Sequence, residues 1–166
     1  MGLADRVAAL EERVRRLEEQ EVVAPQPTGQ DVFWALDGLK SRAPDGGVLF
    51  TGIVTLPTGE TYEWQYGEPA QALLDADWDE LAADLTPQIT ALAHPVRLVL
   101  LGQVLGGART VSDLQQNPAL GTSGQLYHHL RQLVSAGWLR SIGRGRYAVT
   151  PERIIPLLVI LSAARR

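Results

Sequence analysis

The sequence predicts an α+β chain, mainly α: a coiled-coil helix, then a helix and β-hairpin region, then a basic helical module closed by a second hairpin. Three observations predict it. Apolar residues first recur on a heptad. A middle segment alternates with period two between turn residues. The rest recurs with helical period around Gly and Pro stops. Charge divides in the same way. Residues 90–166 hold nine arginines against Asp113 and Glu152, a balance of +7, while residues 1–89 hold 17 acidic and 6 basic side chains, a balance of −11. A basic module joined to an acidic one points to a polyanionic partner for the basic part.

Composition bounds the rest. With 166 residues, 45% of them hydrophobic, the chain can bury a core and is not disordered by composition. The absence of cysteine excludes disulfides, thiolate metal sites and a cysteine nucleophile, and it agrees with a reducing compartment. The first residues are amphipathic and charged, and the longest apolar run, "IIPLLVIL" at 154–161, is too short to span a bilayer. The expectation is a cytoplasmic protein with no membrane partner.

In the first segment, Leu3, Val7, Leu10, Val14 and Leu17 follow spacings of 4, 3, 4 and 3. Valine at a and leucine at d favours a parallel two-stranded coil. Arg6 and Arg13 at g would then face Glu11 and Glu18 at e on the second copy. The other reading is a single amphipathic helix lying on its own domain. Fewer than three heptads are marginal alone, so a homodimer needs a further interface. "APQPTGQ" (24–30) reads as a linker, which gives residues 1–24 as a dimerising helix.

Residues 25–85 form the acidic region, a sensor or dimer-contact module. Val32, Phe33, Leu36 and Leu39 share a helical face in 31–44, with Asp31 as N-cap. Runs 48–55 and 61–66 flank "LPTGE" and read as a hairpin. Tyr62, Trp64 and Tyr66 alternate on one face of it. An isolated hairpin is barely stable. That face is expected on the 31–43 helix, on a partner chain, or around a ligand. "DADWDELAADL" (75–85) reads as a short helix with Asp77 and Glu80 spaced as a capping box. Its acids lack calcium-loop spacing and read as a solvated face.

Residues 86–166 form the basic module. Thr86 reads as a cap with Pro87 at the first helical position, and Pro95 disfavours helical backbone at His94. A helix over 95–105 then ends at Gly106 and Gly107, and "TVSDLQQ" (110–116) makes a short one. After "NPALG", Thr122 caps a fourth helix with Leu126, Leu130, Leu133 and Val134 as its apolar stripe, and Gly137 ends it. The other face carries Ser123, Gly124, Gln125, Tyr127, His128 and Arg131, with no acid. "WLRSI" and "RYAVT" are short strands around "GRG", with Arg144 and Arg146 at the tip. "PERIIPLLVILSAA" (151–164) is a last helix, apolar almost all round. Helix, short helix, turn, polar-faced helix and basic hairpin is the order of a winged helix-turn-helix domain.

"ALAHPVRLVLLGQVL" resembles the entry helix of ArsR-family transcriptional regulators, and "TVSDL…TSGQLYHHLRQLVSAGWLR…GRGRYAV" resembles their recognition helix and wing, over about residues 88–150. The resemblance implies a regulator, acting mainly as a repressor, that binds an inverted repeat in double-stranded DNA as a homodimer. It places Thr122 to His128 and Arg131 on the recognition helix and Arg144 and Arg146 on the wing. It also places the entry and final helices at a dimer interface. The chain departs from the pattern: it lacks the family's metal-sensing cysteines and the spaced Asp and His residues of zinc-sensing members. No metal and no cofactor is expected.

Hydroxyl, amide and guanidinium groups at the start of such a helix reach base edges and phosphates. Gln125 is expected to read adenine, Tyr127 and His128 to meet a base or phosphate, and Gly124 to allow close approach. Arg144 suits the minor groove or its phosphates. His129 shares a side with Leu126 and Leu133 and is expected to pack inward. Neighbouring helical residues point about 100° apart, so His128 and His129 do not form one metal site. No nucleophile elbow, phosphate loop or HExxH motif is present, and no enzyme is expected. Two rival readings remain: a winged-helix protein–protein adaptor, and a small-molecule binder centred on the 48–66 hairpin. In the favoured reading the effector of the acidic region is a small molecule or a protein.

Overall fold

The structure, a computed structural model, describes Gly2, Val7 and residues 33–165. Val7 is helical and 45% exposed, while Leu3, Leu10, Val14, Leu17, Asp31 and Val32 lie outside the described residues. The fold is mixed α and β, and mainly helical. It divides into two units, residues 1–44 and 45–166. The first contributes α1, Trp34–Arg42, which begins after Phe33 with no side-chain cap.

The second unit opens with an antiparallel hairpin, β1 (Gly47–Thr55) and β2 (Thr61–Pro69), in register from Gly47↔Pro69 to Thr55↔Thr61. β2 runs three residues beyond the expected 61–66, because pairing with Gly47, Val48 and Leu49 draws in Gly67, Glu68 and Pro69. A short helix, α2 (Ala70–Leu74), and a 15-residue helix, α3 (Trp78–Leu92), follow. Asp77 caps α3, accepting from the Asp79 and Glu80 N–H groups at 2.9 and 3.2 Å. α3 does not stop at Leu85. Pro87 lies inside it rather than at the start of a new helix, and Thr86 is not a cap. An interior proline costs about 3 kcal/mol. Tertiary packing downstream offsets it: Ala91 and Leu92 are buried, and the Trp138 indole N–H donates to the Gln88 carbonyl at 2.9 Å.

The chain then turns by 76° into α4 (Pro95–Leu105). The corner is encoded locally. His94 is extended (φ −151°, ψ 126°), as a residue before proline must be, and its Nδ1 accepts the Val96 N–H at 3.2 Å. α5 (Val111–Leu114) starts with a Thr110/Asp113 capping box. A single 3-10 turn, Pro118–Leu120, leads to α6 (Ser123–Ser135). β3 (Leu139–Gly143) and β4 (Arg146–Val149) pair antiparallel, with a register slip between Ser141 and Gly143. The segment before α5 joins this ribbon: Tyr147 N–H donates to the Arg109 carbonyl at 2.8 Å, and Thr110 bridges to Arg146. α7 (Pro151–Ala163) ends the fold.

The core lies between α4, α6 and α7. Leu100, Leu101, Val104, Leu126, Leu130, Leu133, Ile154 and Leu157 are fully buried, joined by Leu114, Leu120, Trp138 and Leu139. Each such side chain contributes about 1.5–3 kcal/mol on burial. Val134, expected in the apolar stripe of α6, is 37% exposed at its edge.

The aromatic face of the first hairpin packs in part on its own unit. Val54 and Tyr62 pack on the core of their own unit, and the hairpin lies on α7. The approach is close at Gly52, where a Cβ would sit 2.8 Å from Ile155 Cγ2. Gly52 pairs with Trp64 and Phe50 with Tyr66, whose rings are 5.7 Å apart. Trp64 and Tyr66 remain 43% and 48% exposed at the margin. On the final helix, Ile154, Ile155 and Leu157 are buried and Ile160 is 44% exposed.

Candidate nucleic-acid interface

α6 and the β3–β4 hairpin carry every residue singled out for nucleic-acid contact. Along α6, Gly124, Tyr127, His128 and Arg131 follow helical spacing and are all exposed. Leu126, Leu130 and Leu133 occupy the opposite, buried face. Amphipathic spacing thus aims the polar stripe outward without any special contact. Arg144 sits in the tight turn between Gly143 (φ +132°) and Gly145 (φ +64°), and Arg146 opens the return strand. Both arginines are exposed, as is Arg140 on β3.

The start of α6 is fastened on both sides. Thr122 caps it: its Oγ1 accepts the Gln125 N–H at 3.4 Å, and Gln125 Oε1 accepts the Thr122 N–H at 2.9 Å. Gln125, expected as a free reader of adenine, therefore has its carbonyl committed to the cap. The bidentate amide contact to adenine needs both its donor and its acceptor, and here only the NH2 is uncommitted. The T-x-x-Q spacing was the available signal. Gly121 fits this lock, with φ +75° and a Cβ position only 2.5 Å from Gln125 Oε1. Ser123 Oγ accepts from Gln115 Nε2, so α5 and α6 are tied at the turn, a contact that sequence reasoning missed. Around Gly124 a Cβ would meet nothing within 4 Å, which leaves the backbone approachable.

Charge beside the β3–β4 hairpin is arranged by neighbours. Hydrogen bonds from the Thr110 N–H and hydroxyl hold Asp113 below the ordinary carboxylate range, with smaller help from the Arg109 N–H and the charge of Arg146. Arg109 reaches Glu60 in the first hairpin's turn at 3.3 Å. Glu60 is itself lowered, chiefly by the Thr58 hydroxyl. Arg97 does not belong to the basic surface. It is 7% exposed, and its donors go to Ala91 O, Thr90 O and Gln132 Oε1. The surface charge of the basic module is therefore smaller than the sequence count.

The two adjacent histidines separate as expected: His128 is exposed and His129 is partly buried. His129 lies 4.7 Å from the His94 ring and 5.7 Å from the His128 ring, centroid to centroid. Its Nδ1 is buried with no hydrogen-bond partner. Among the described residues, no group of three or more His, Cys, Asp or Glu side chains is placed to hold a metal ion.

No protein-family model, curated protein or solved structure matches the chain. Among the described residues no single helix is long and apolar enough to cross a membrane; α3 and α4 reach that length only as a bent pair. The functional reading therefore rests on the geometry of α6 and its neighbours.

Proposed function

We propose that the second unit contains a winged helix-turn-helix domain, ArsR-like in kind, and that the protein is a sequence-specific double-stranded DNA-binding regulator, mainly a repressor, working as a homodimer on an inverted repeat. The observation that carries this reading is the exposed, acid-free stripe Gly124–Tyr127–His128–Arg131, on a helix capped by Thr122 and beside a ribbon tipped with Arg144 and Arg146. The order α4, α5, turn, α6, ribbon supports it, as do the Tyr147–Arg109 hydrogen bond and the Thr110–Arg146 bridge beside the two-stranded ribbon. In this reading α6 enters the major groove. Tyr127, His128 and Arg131 meet bases and phosphates, the α6 N-terminus lies near a phosphate, and the wing arginines track the neighbouring backbone.

The second copy is held by the heptad of residues 1–24 and by apolar surface that remains open on α3 and α4, including Ile89, Leu98 and Val99. The test is a footprint on DNA upstream of the protein's own coding region. Protection of two half-sites related by two-fold symmetry, about one helical turn apart, is the expected result. Protection without symmetry would remove the dimeric part of the proposal, and no protection at low salt would remove the DNA-binding part.

A further inference from the structure

We propose that the cleft between α3, α4 and the C-terminal end of α6 binds a small organic monocarboxylate on Arg97. The cleft has a volume of about 220 Å³ and is lined by Pro87, Thr90, Ala91, Arg97, Gln132, Ser135 and Ala136. That is below the range of about 300–1,000 Å³ usual for drug-sized ligands, so it suits a small molecule.

Arg97 makes the cleft unusual. It is a buried cation, and among the described residues no acidic side chain pairs with it. Its Nε and Nη2 donate to Ala91 O and Thr90 O at 2.5 and 2.8 Å, and its Nη1 donates to Gln132 Oε1 at 2.5 Å. Those two carbonyls belong to the last turn of α3, where the helix dipole offers about half an elementary charge. Burial alone lowers the Arg97 pKa from the ordinary value. A guanidinium has five N–H groups and three are committed here, so two remain for a carboxylate.

The surroundings select the ligand class. The cleft meets the C-terminal turns of α3 and α6, whose partial negative charge disfavours a dianion such as phosphate. Pro87, Ala91 and Ala136 give the organic part an apolar wall, and Thr90 and Ser135 bring hydroxyls. Occupation would also reach α6. Gln132 is an α6 residue, and its Oε1 accepts from the same Arg97 Nη1 whose second N–H would meet a carboxylate. Binding at the cleft stands by itself.

Titration calorimetry of the full chain, with no DNA present, tests it. Sodium benzoate and sodium isobutyrate are the probes, and benzamide and inorganic phosphate are the controls. Saturable one-to-one binding of a carboxylate, with neither control binding, is expected. Arg97→Lys keeps the charge but loses the fork. Ser135→Phe fills the mouth from an exposed position and leaves Arg97 in place. Each is expected to weaken binding roughly ten- to a hundredfold, the range for hydrogen bonds to a charged group. The proposal is overturned if neither carboxylate saturates, if phosphate or benzamide binds equally well, or if Ser135→Phe binds like the parent. Because the readout contains no DNA, its failure leaves the DNA-binding reading untouched, and failure of that reading leaves this one standing.

Discussion

The imidazoles of His94 and His129 lie tilted against each other, centroids 4.7 Å apart and planes at 44°, joining the corner before α4 to the middle of α6. His94 Nδ1 accepts the Val96 N–H at 3.2 Å. Burial, and then the neighbouring His94, Arg97 and His128, hold the His129 pKa below the ordinary value of 6.5. No acid is among these causes.

That cluster predicts a pH dependence of stability. His129 has a lower pKa folded than unfolded, so the unfolded chain takes up its proton first as pH falls. Stability is therefore fully present above about pH 6.5, the unfolded value, and is lost as pH falls through and below it. One proton limits the slope to about 1.4 kcal/mol per pH unit. Denaturant midpoints measured from neutral to mildly acidic pH should show this decline, and His129→Leu should flatten it. An unchanged slope in that variant would assign the proton uptake elsewhere.

Gly52 predicts a steric effect. Adding side-chain volume there forces Ile155 aside, since the first carbon already meets Cγ2 at 2.8 Å. Gly52→Val is expected to cost about 1–3 kcal/mol, as overpacking does, by thermal or denaturant unfolding. Ile155→Ala in the same chain should recover part of that loss, because the two changes share one contact. Strictly additive losses would mean that the hairpin does not press on α7 at this point.

The capping box predicts a separable effect on α6. Thr122→Ala removes the acceptor for the Gln125 N–H and should cost about 1 kcal/mol. Gln125→Ala removes the reciprocal acceptor for the Thr122 N–H. Both variants should fray the first turn of α6, visible as faster amide exchange at Ser123 to Leu126, while the buried Leu130 and Leu133 stay protected. Equal exchange across the helix would show the cap to be dispensable.

Most of the local structure was legible in the sequence because its causes are local. Asp77 and Thr122 cap helices by side chains that reach two or three residues ahead. Pro95 fixes the extended backbone of His94, and the turn residues of both hairpins mark their tips. What escaped reading depends on distant partners. Pro87 reads as a helix start because a first-turn proline is free, whereas its place inside α3 requires Ala91, Leu92 and the Trp138 bond, the last donated 50 residues away. Arg97 counts as surface charge in any composition, and only the meeting of α3, α4 and α6 buries it. The hairpin's contact with α7 joins segments about a hundred residues apart, with Gly52 as its one local trace. The outward stripe of α6 was legible for a simpler reason: the period of its leucines sets the direction of everything else on the helix.

The most direct test of the central claim is the affinity of the full chain for its own upstream DNA across a series of salt concentrations, beside Arg131→Ala and Arg144→Ala. Removing one arginine–phosphate interaction should reduce the slope of log affinity against log salt by about 1. The account predicts steep weakening with salt, a shallower slope and lower affinity in both variants, and an unchanged dimer mass. Salt-independent affinity, or variants that bind as tightly as the parent, would contradict it.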